Sequence, residues 1–381
     1  MAMITRGLEK LRRLGLVFCL LVGAGPLSAV SVAEPFFPIG IYGVGSTEHL
    51  QQVHEAGFNT VVGPANKAFL DQAQALGIQV IASPGASAGR GFAPSKFEGK
   101  VIDYDHHPAL HSWYLVDEPD MTRTPPWQVA MDQRLFKAHA ARKPTSLVLF
   151  DGVHARDYGA IPDILMVDSY PIPWMPLAHF SQHMTWARSI AGPAKPLYAI
   201  AQAFDWYDFK NAVPGETRFR VPTQEELKCM TYLALAQPVD GLLFFTFASG
   251  KWFLPDNPDL WHGLLDIVQS LHQHSYLLGC KRLPWVPSYK IAPYEKRRSE
   301  TQEPSIHLSH LRDAHGTEHL MLINTTEHPL TLSLSLPSSG QRWQLAGSPS
   351  GTPFGGFRPG SLYKIPFEKY EVRILQGVEM D

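Results

Sequence analysis

The sequence predicts an α/β fold: a (β/α)8 TIM barrel followed by a small C-terminal antiparallel β-sandwich. Eight apolar, strand-like segments alternate with helix-like segments between residues 37 and 278. Strands that are apolar throughout are typical of parallel strands buried on both faces, and eight such units match a closed barrel. After Leu283 the alternation stops, and short period-two segments separated by Gly, Pro and Ser predict the sandwich.

The first half of the barrel pattern contains four strand segments. The helices between them are marked by N-cap residues such as Asn66 and by stop residues such as Gly77. A polar, Gly-rich loop near 86–98 and a short helix at 107–110 are expected before the fourth strand. The four predicted strands are 37–44, 58–64, 78–85 and 112–119.

The second half repeats the pattern with clearer helix starts. Pro125 and Pro126 open one helix, because proline fits the first turn, and Thr223 with Glu226 has the spacing of a capping box. The predicted helices are 125–142, 177–191, 223–237 and 259–278, and the predicted strands are 145–151, 163–171, 196–205 and 241–247. A doubly wound open sheet is the alternative, but "IYGVGSTEHL" after the first strand lacks the third glycine of a phosphate-binding loop.

Residues 1–33 predict a secretory signal peptide. Four basic residues precede an apolar run at 14–22, and Ser31 and Ala33 have the spacing of a signal peptidase site. The run is too short to span a bilayer comfortably, and Phe18 before Cys19 argues against a lipid anchor. We therefore expect a secreted or periplasmic protein, with a barrel at 34–283, a sandwich at 284–381 and no stable membrane insertion after cleavage.

The remaining composition argues against several classes of partner. Without the signal peptide the chain carries 29 basic and 34 acidic residues, a net charge of −5, and shows no basic stripe, so nucleic acid is not an expected partner. Cys229 and Cys280 are too few for a disulfide framework or a zinc site, and they either pair or remain as buried thiols. His106 and His107 are adjacent and do not converge on one metal ion. We expect no metal and no organic cofactor.

The stretch "HSWYLVDEPD" at 111–120 carries the strongest functional signal, because a buried strand there ends in carboxylates around a proline. Active sites of such barrels lie at the C-terminal ends of the strands. A carboxyl at the end of a packed strand is poorly hydrated, which favours its acid form, and glycosidic cleavage needs such a group to protonate the leaving oxygen. Pro119 ends the strand, and a bend there would allow both Asp117 and Glu118 to line the mouth.

Other strand ends supply further candidates for a carbohydrate cleft, since sugars stack on aromatic rings and their hydroxyls need donors and acceptors. Asp168 and Asp205 are candidates for a second carboxylate, although Asp168 could instead anchor its loop. Asp151 is expected to cap the helix after the fifth strand. The candidate substrate-binding residues are Tyr42, Tyr170, Gln202, Trp206 and Trp252, of which Trp206 could instead serve packing.

The segments "WYLVDEPD", "MVDSYP", "PLYAIAQAFDW" and "GLLFFTF", in this order, resemble the retaining glycoside hydrolases of clan A and related barrel glycosidases. The resemblance covers residues 36–278, and the sandwich resembles the accessory β-domain that such enzymes often carry. In that clan the acid/base is a Glu at the end of strand four, usually after Asn and often before Pro. The resemblance thus implies Glu118 as acid/base, with Asp117 in the place of the Asn, orienting Glu118 or the substrate.

The resemblance fails at the nucleophile. The clan uses a Glu at the end of strand seven, where this chain has Gln202, and an amide cannot act as that nucleophile. Three explanations remain open. Asp205 or Asp168 supplies the second carboxylate; or the N-acetyl group of the substrate attacks, as in barrel hexosaminidases with an adjacent Asp-Glu pair on strand four; or the protein binds glycans without cleaving them. The separation of the carboxyls would distinguish retention, at about 5–5.5 Å, from inversion, at about 6.5–9.5 Å.

Overall fold

The structure is a computed structural model that describes residues 36–85, 94–139, 142–237, 239–284, 286–292, 305–336, 341–345, 358 and 360–379. Residues Phe37–Asp381 form one compact unit. The expected signal peptide at 1–33 and residues 86–93 of the expected Gly-rich loop lie outside the described residues.

The predicted barrel is confirmed. Eight parallel strands close into a ring in sequence order, and β1 pairs with β8. The strands are β1 Ile39–Tyr42, β2 Thr60–Pro64, β3 Gln79–Ser83, β4 Leu110–Val116, β5 Thr145–Leu149, β6 Ile164–Ser169, β7 Leu197–Gln202 and β8 Gly241–Phe245. The helices are α1 Thr47–Glu55, α2 Lys67–Ala75, α3 Pro94–Tyr104, α4 Pro126–His139, α5 Ala155–Tyr158, α6 Ala178–Ala191, α7 Gln224–Leu235 and α8 Pro258–Gln273.

The local signals that predicted the helix starts act as expected. The side chain of Asn66 accepts from the backbone N–H of Phe69 at the start of α2. Thr223 and Glu226 form the predicted capping box at the start of α7, where each side chain accepts from the other residue's backbone N–H. These bonds satisfy donors that the first helical turn leaves without partners.

One predicted helix is wrong. Residues 107–110 form a turn that leads into β4, and the helix of this connection is α3 at Pro94–Tyr104 instead. The backbone N–H of Leu110 donates to the carbonyl of His107, and the N–H of Ala109 donates to Nδ1 of His107. Pro108 has no N–H to offer a helix, so these short-range bonds close a turn.

The predicted β-sandwich is also confirmed. A five-stranded antiparallel sheet has the order β11-β13-β14-β18-β16, and a three-stranded sheet has the order β12-β15-β17. Its strands are β11 Lys281–Arg282, β12 Ser288–Ala292, β13 Ile306–Arg312, β14 Glu318–Asn324, β15 Leu330–Ser335, β16 Gln341–Leu345, β17 Leu362–Phe367 and β18 Val372–Glu379. Strand β12 lies just after the expected boundary at Leu283 and pairs with β15, and β11 lies just before that boundary and pairs with β13.

Both faces of the five-stranded sheet are covered by apolar packing. Successive side chains of a strand point to opposite sides, so one strand contributes to both layers. Met321 and Ile323 of β14 belong to the same apolar core as the barrel helices. Leu320 and Leu322, which alternate with them, pack in the core between the two sheets. Polar contacts also join the parts, such as the bond from Ser309 Oγ to the carbonyl of Ala236, 2.8 Å long.

Both cysteines of the described residues are buried and free. Cys229 lies on α7 and its Sγ donates to the carbonyl of Asn324 in the sandwich, at 3.7 Å. Burial raises the pKa of both thiols, with Cys280 at about 12. Of the two alternatives left open by the sequence, the structure therefore has the unpaired thiols.

Candidate active site

Three carboxyl groups meet at the C-terminal mouth of the barrel: Asp117 and Glu118, directly after β4, and Asp168 on β6. The inward row of β6 runs Ile164, Met166 and Asp168, so alternation places the Asp168 carboxyl inside the ring, where it is only 3% exposed. Its carboxyl forms a side-chain hydrogen bond with that of Glu118. The structure thus brings together the acid that the sequence indicated and one of the two candidates for its partner.

The end of β4 is irregular, and this irregularity aims Glu118. The register of β4 shifts against β3 near Ile81 and against β5 between Tyr114 and Val116, and such bulges re-aim the side chains that follow them. Glu118 itself has φ of +38°, in the left-handed region. A non-glycine residue there costs about 1–3 kcal/mol, and such residues cluster at functional sites. The expected bend at the strand end is therefore centred on the left-handed backbone of Glu118.

Burial and mutual contact change the acidity of the Glu118–Asp168 pair. Burial raises the pKa of Glu118 to about 7, while the hydrogen bond from Asp168 opposes the rise. Burial and the neighbouring Glu118 carboxyl raise the pKa of Asp168 well above its ordinary range. Oδ1 of Asp168 is buried and meets no N–H or O–H donor in the described part of the chain. Ionising both of two carboxyls in contact is energetically unfavourable, so Asp168 keeps its proton when Glu118 is ionised.

Three tyrosines surround these carboxyls. The hydroxyl of Tyr114 donates to Oδ1 of Asp117, and Tyr170 donates to Asp168. The hydroxyl of Tyr42 lies 3.9 Å from the sulfur of Met166. Burial raises the pKa of all three phenols well above the ordinary value, so they act as neutral donors. Asp117 as a whole residue is open to solvent at the rim, but its carboxyl is crowded by neighbouring atoms; this partial loss of hydration raises the pKa of the carboxyl, and the bond from Tyr114 opposes the rise.

An aromatic wall continues from Tyr170 along the mouth. The ring of Tyr170 lies 6.1 Å from that of Trp206, and Trp206 lies 5.7 Å from Trp174. Trp174 then contacts Phe219 at 6.0 Å. The indole Nε1 atoms of Trp174 and Trp206 are buried and reach no acceptor among the described residues. The wall therefore offers apolar ring faces, while its two indole N–H groups are buried.

Gln202 has a structural role that its place at a strand end did not reveal. Its side chain is fully buried. The amide oxygen accepts from the N–H of Ile172 at 2.9 Å, and the amide nitrogen donates to the carbonyls of Ile172 and Phe204, at 2.9 and 3.3 Å. Both ends of the amide thus hold the loop that follows β6, the loop that carries Tyr170 and Trp174.

The other candidates each make a local contact in the structure. Asp205 accepts from the N–H of Tyr207 at 2.8 Å and caps the 3₁₀ helix Trp206–Ala212. Asp151 caps the 3₁₀ helix Gly152–His154, as expected. Trp252 is 5% exposed and donates to the carbonyl of Thr246 at 2.9 Å. These contacts give each side chain a local structural role.

Sequence reasoning missed Tyr114 and Trp174. Tyr114 lies inside the quoted stretch of β4, three residues before Asp117, and regular alternation would have turned it and Asp117 to opposite faces. The bulge brings them together. Trp174 follows the strand-six segment in "PIPWMP", and the hydrogen bonds of Gln202 to Ile172, which local sequence does not reveal, hold that loop beside Trp206.

No group of three His, Cys, Asp or Glu side chains within the described residues is arranged to hold a metal ion. In the same part of the chain, none of the helices combines the length and apolar character required to cross a bilayer.

No protein-family model matches the chain, and no curated protein matches it. Solved structures do. A catalytic mutant of a GH42 beta-galactosidase from G. stearothermophilus has 9% identity and a TM-score of 0.56 over 88% of this chain and 98% of that chain. A candidate alpha-galactosidase from Bacteroides fragilis has 12% identity and a TM-score of 0.53 over 90% and 79%.

A beta-galactosidase from the psychrophilic Marinomonas ef1 has 12% identity and a TM-score of 0.48 over 64% of this chain. This chain spans 61% of the length of that galactosidase, less than two thirds of it. At these identities a likeness shows the fold alone. The first two structures show that this chain has the fold of glycoside hydrolases built on a (β/α)8 barrel, as the resemblance to clan A implies.

Proposed function

We propose that this protein is a glycoside hydrolase that cleaves O-glycosidic bonds of an oligo- or polysaccharide, with Glu118 as general acid/base. The observation that carries the proposal is the Glu118–Asp168 pair at the barrel mouth. A carboxyl with a pKa of about 7 is protonated at neutral and mildly acidic pH, yet can lose its proton in the reaction. This is what protonation of a glycosidic oxygen requires.

Asp168 supports both halves of this cycle as a positioning residue. When Glu118 gives its proton to the leaving oxygen, the hydrogen bond from Asp168 stabilises the new carboxylate, which is why this bond lowers the pKa of Glu118. When a water molecule attacks afterwards, Glu118 takes back a proton as the base. Asp168 keeps its own proton throughout, because burial and the adjacent Glu118 strongly disfavour its ionisation.

The aromatic wall formed by Tyr170, Trp174, Trp206 and Phe219 supports a carbohydrate ligand. Ring faces suit the apolar faces of sugars, which stack on them. The expected signal peptide at 1–33 supports a substrate that the protein meets outside the cytoplasm, in the periplasm or the medium.

A second candidate function is glycan binding without cleavage, at the cell envelope. Gln202 favours it, because this residue stands where the clan has its nucleophile and its amide is fully used in holding a loop. Fold alone does not separate the two functions, since one barrel can host many of them.

The test compares Glu118→Gln with Glu48→Gln, an exposed carboxyl in the first turn of α1. Aryl glycosides and polysaccharides are screened for released product, and binding is followed in parallel by calorimetry. We expect Glu118→Gln to lose nearly all turnover while keeping its circular dichroism spectrum, and Glu48→Gln to retain it. Full turnover in Glu118→Gln would refute the role of Glu118, and binding without any product from the unchanged protein would support the second function.

A further inference from the structure

The aromatic wall continues past Phe219 to Tyr207. The ring of Phe219 lies 6.0 Å from that of Trp174 and also 6.0 Å from that of Tyr207, measured between ring centroids. At the inner end of the wall, Tyr170 donates to Asp168. A continuous series of ring contacts therefore leads from the proposed acid pair to Tyr207.

Trp206 and Tyr207 follow each other in the chain, but their rings contact different partners. Trp206 packs on Tyr170 at 6.1 Å and on the buried ring of Phe204 at 5.0 Å, on the side of the carboxyl pair. Tyr207 packs on Phe219 instead. The start of this segment thus presents one ring toward the catalytic carboxyls and the next ring away from them.

The exposure of the rings increases toward Tyr207. Phe204, under the inner rings, is buried; Trp206 and Phe219 are half-buried, and Tyr207 is 57% exposed. Single exposed apolar side chains are common on protein surfaces and need no special reason. Tyr207 differs from them, because its ring is joined through the wall to the active site.

The segment that carries Tyr207 is fixed at both ends. At its start, Asp205 accepts from the backbone N–H of Tyr207 at 2.8 Å and caps the 3₁₀ helix Trp206–Ala212. At its end, Arg220 donates to both carboxylate oxygens of Glu226, at 2.7 and 2.8 Å, and Glu226 belongs to the capping box of α7. A site that is held in place before its ligand arrives loses less conformational freedom on binding.

A positive charge lies beside the exposed ring. Nζ of Lys210 is 4.8 Å from the centre of the Tyr207 ring, a cation–π contact that helps to orient the ring. Lys210 is itself exposed and carries three N–H donors. An apolar ring face next to free donors suits a sugar unit, which has apolar faces and hydroxyl acceptors.

We propose that Tyr207, Phe219 and Lys210 form a distal sugar-binding subsite, which takes a unit of the substrate chain beyond the units at the cleaved bond. The inference rests on the proposed hydrolase function and deepens it: the preferred substrate is a longer oligosaccharide or a polysaccharide, not a disaccharide or a single glycoside. The observation that carries it is the series of ring contacts from Tyr170, against Asp168, to the exposed Tyr207.

The test measures how cleavage depends on substrate length. Chito-, cello- and galacto-oligosaccharides of two to six units, and aryl glycosides of the same sugars, are assayed with the full chain. A unit bound far from the reacting atoms improves catalysis through its binding energy, so kcat/KM should rise by about 10-fold or more with length. Tyr207→Ala should lower kcat/KM by about 3- to 10-fold on the longer substrates and leave the aryl glycosides unchanged.

Two variants serve as controls. Tyr207→Phe keeps the ring and should keep the dependence on length. Tyr289→Ala removes an exposed tyrosine of β12 in the sandwich and should change no rate. In parallel, calorimetry measures binding of the same oligosaccharides to Glu118→Gln, with and without Tyr207→Ala, and the second change should weaken only the binding of the longer ones.

Several results would overturn the subsite but keep the hydrolase function. They are a kcat/KM that is independent of length, an equal loss on aryl glycosides and long substrates in Tyr207→Ala, and an equal loss in Tyr207→Phe and Tyr207→Ala. Binding that depends on length and on Tyr207, without product from any substrate, would overturn the hydrolase function and support the subsite. Neither cleavage nor binding of any of these sugars would overturn both.

Discussion

Glu118→Gln should make the protein more stable at alkaline pH, although it removes the proposed acid. In the folded protein burial raises the pKa of Glu118 from 4.5 to about 7. Between these pH values the folded state holds a proton that the unfolded state has lost, so the stability of the unchanged protein falls as pH rises through this interval. A rise of this size corresponds to about 3 kcal/mol. Glutamine has no charge to bury, so the stability of the variant does not fall in this pH interval.

The expected difference in the free energy of unfolding is therefore close to zero at pH 4 and reaches up to about 3 kcal/mol in favour of Glu118→Gln at pH 8. The left-handed backbone at this position destabilises the folded protein equally with Glu and with Gln, so its contribution cancels in the difference. Guanidinium unfolding at the two pH values, followed by tryptophan fluorescence, measures the difference. Glu48→Gln, which removes an exposed carboxyl of α1, is the control for the loss of one charge. A gain for Glu118→Gln that is equal at both pH values, or a loss at pH 8, would refute burial as the cause of the raised pKa.

Three further outcomes follow from the same structure. The basic limb of the kcat/KM profile should lie near pH 7, because Glu118 must be protonated to act. Asp168→Leu removes the hydrogen bond that lowers the pKa of Glu118, so it should move this limb to higher pH in any residual activity. An unmoved limb would show that Asp168 does not donate to Glu118. Gln202→Glu should not create a nucleophile but should destabilise the protein by about 3–5 kcal/mol, because it buries an unpaired charge; a rise in kcat would contradict this role. Met321→Ala, at a fully buried position, should cost about 2–5 kcal/mol in guanidinium unfolding, and an unchanged midpoint would contradict the shared core.

The barrel could be predicted from the sequence because its strands are local signals. Each of the eight is an apolar run of 4 to 7 residues between helix signals, and the order of such units leaves few topologies. The helix α3 was missed because it follows a Gly-rich segment without a clear cap. Strand β12, with the sequence SYKIA, has no local strand signal and pairs only through tertiary contact with β15. Pairing across about 40 residues is not visible in local periodicity.

The site could be predicted as a set of candidates, but its contacts could not. The strand-end rule gave Asp117, Glu118, Asp168 and Asp205 as candidates, without saying which of them lie close together. The contact between Glu118 and Asp168 depends on the bulges of β4 and on the left-handed backbone at Glu118, and neither has a sequence signature in "VDEPD". The local caps, by contrast, follow from an acidic residue just before a short helix, which is why Asp151 was assigned correctly.

The sheet that contains Met321 and Ile323 makes the C-terminal part of the chain an outer wall of the barrel and not a removable appendage. A polypeptide that stops at Leu283 would leave the outward side of α7 bare and apolar, so it should aggregate during synthesis and yield no minimal catalytic fragment. For the same reason a calorimeter should record one melting event for both parts. Attempts to shorten the protein would first need polar replacements along that helix.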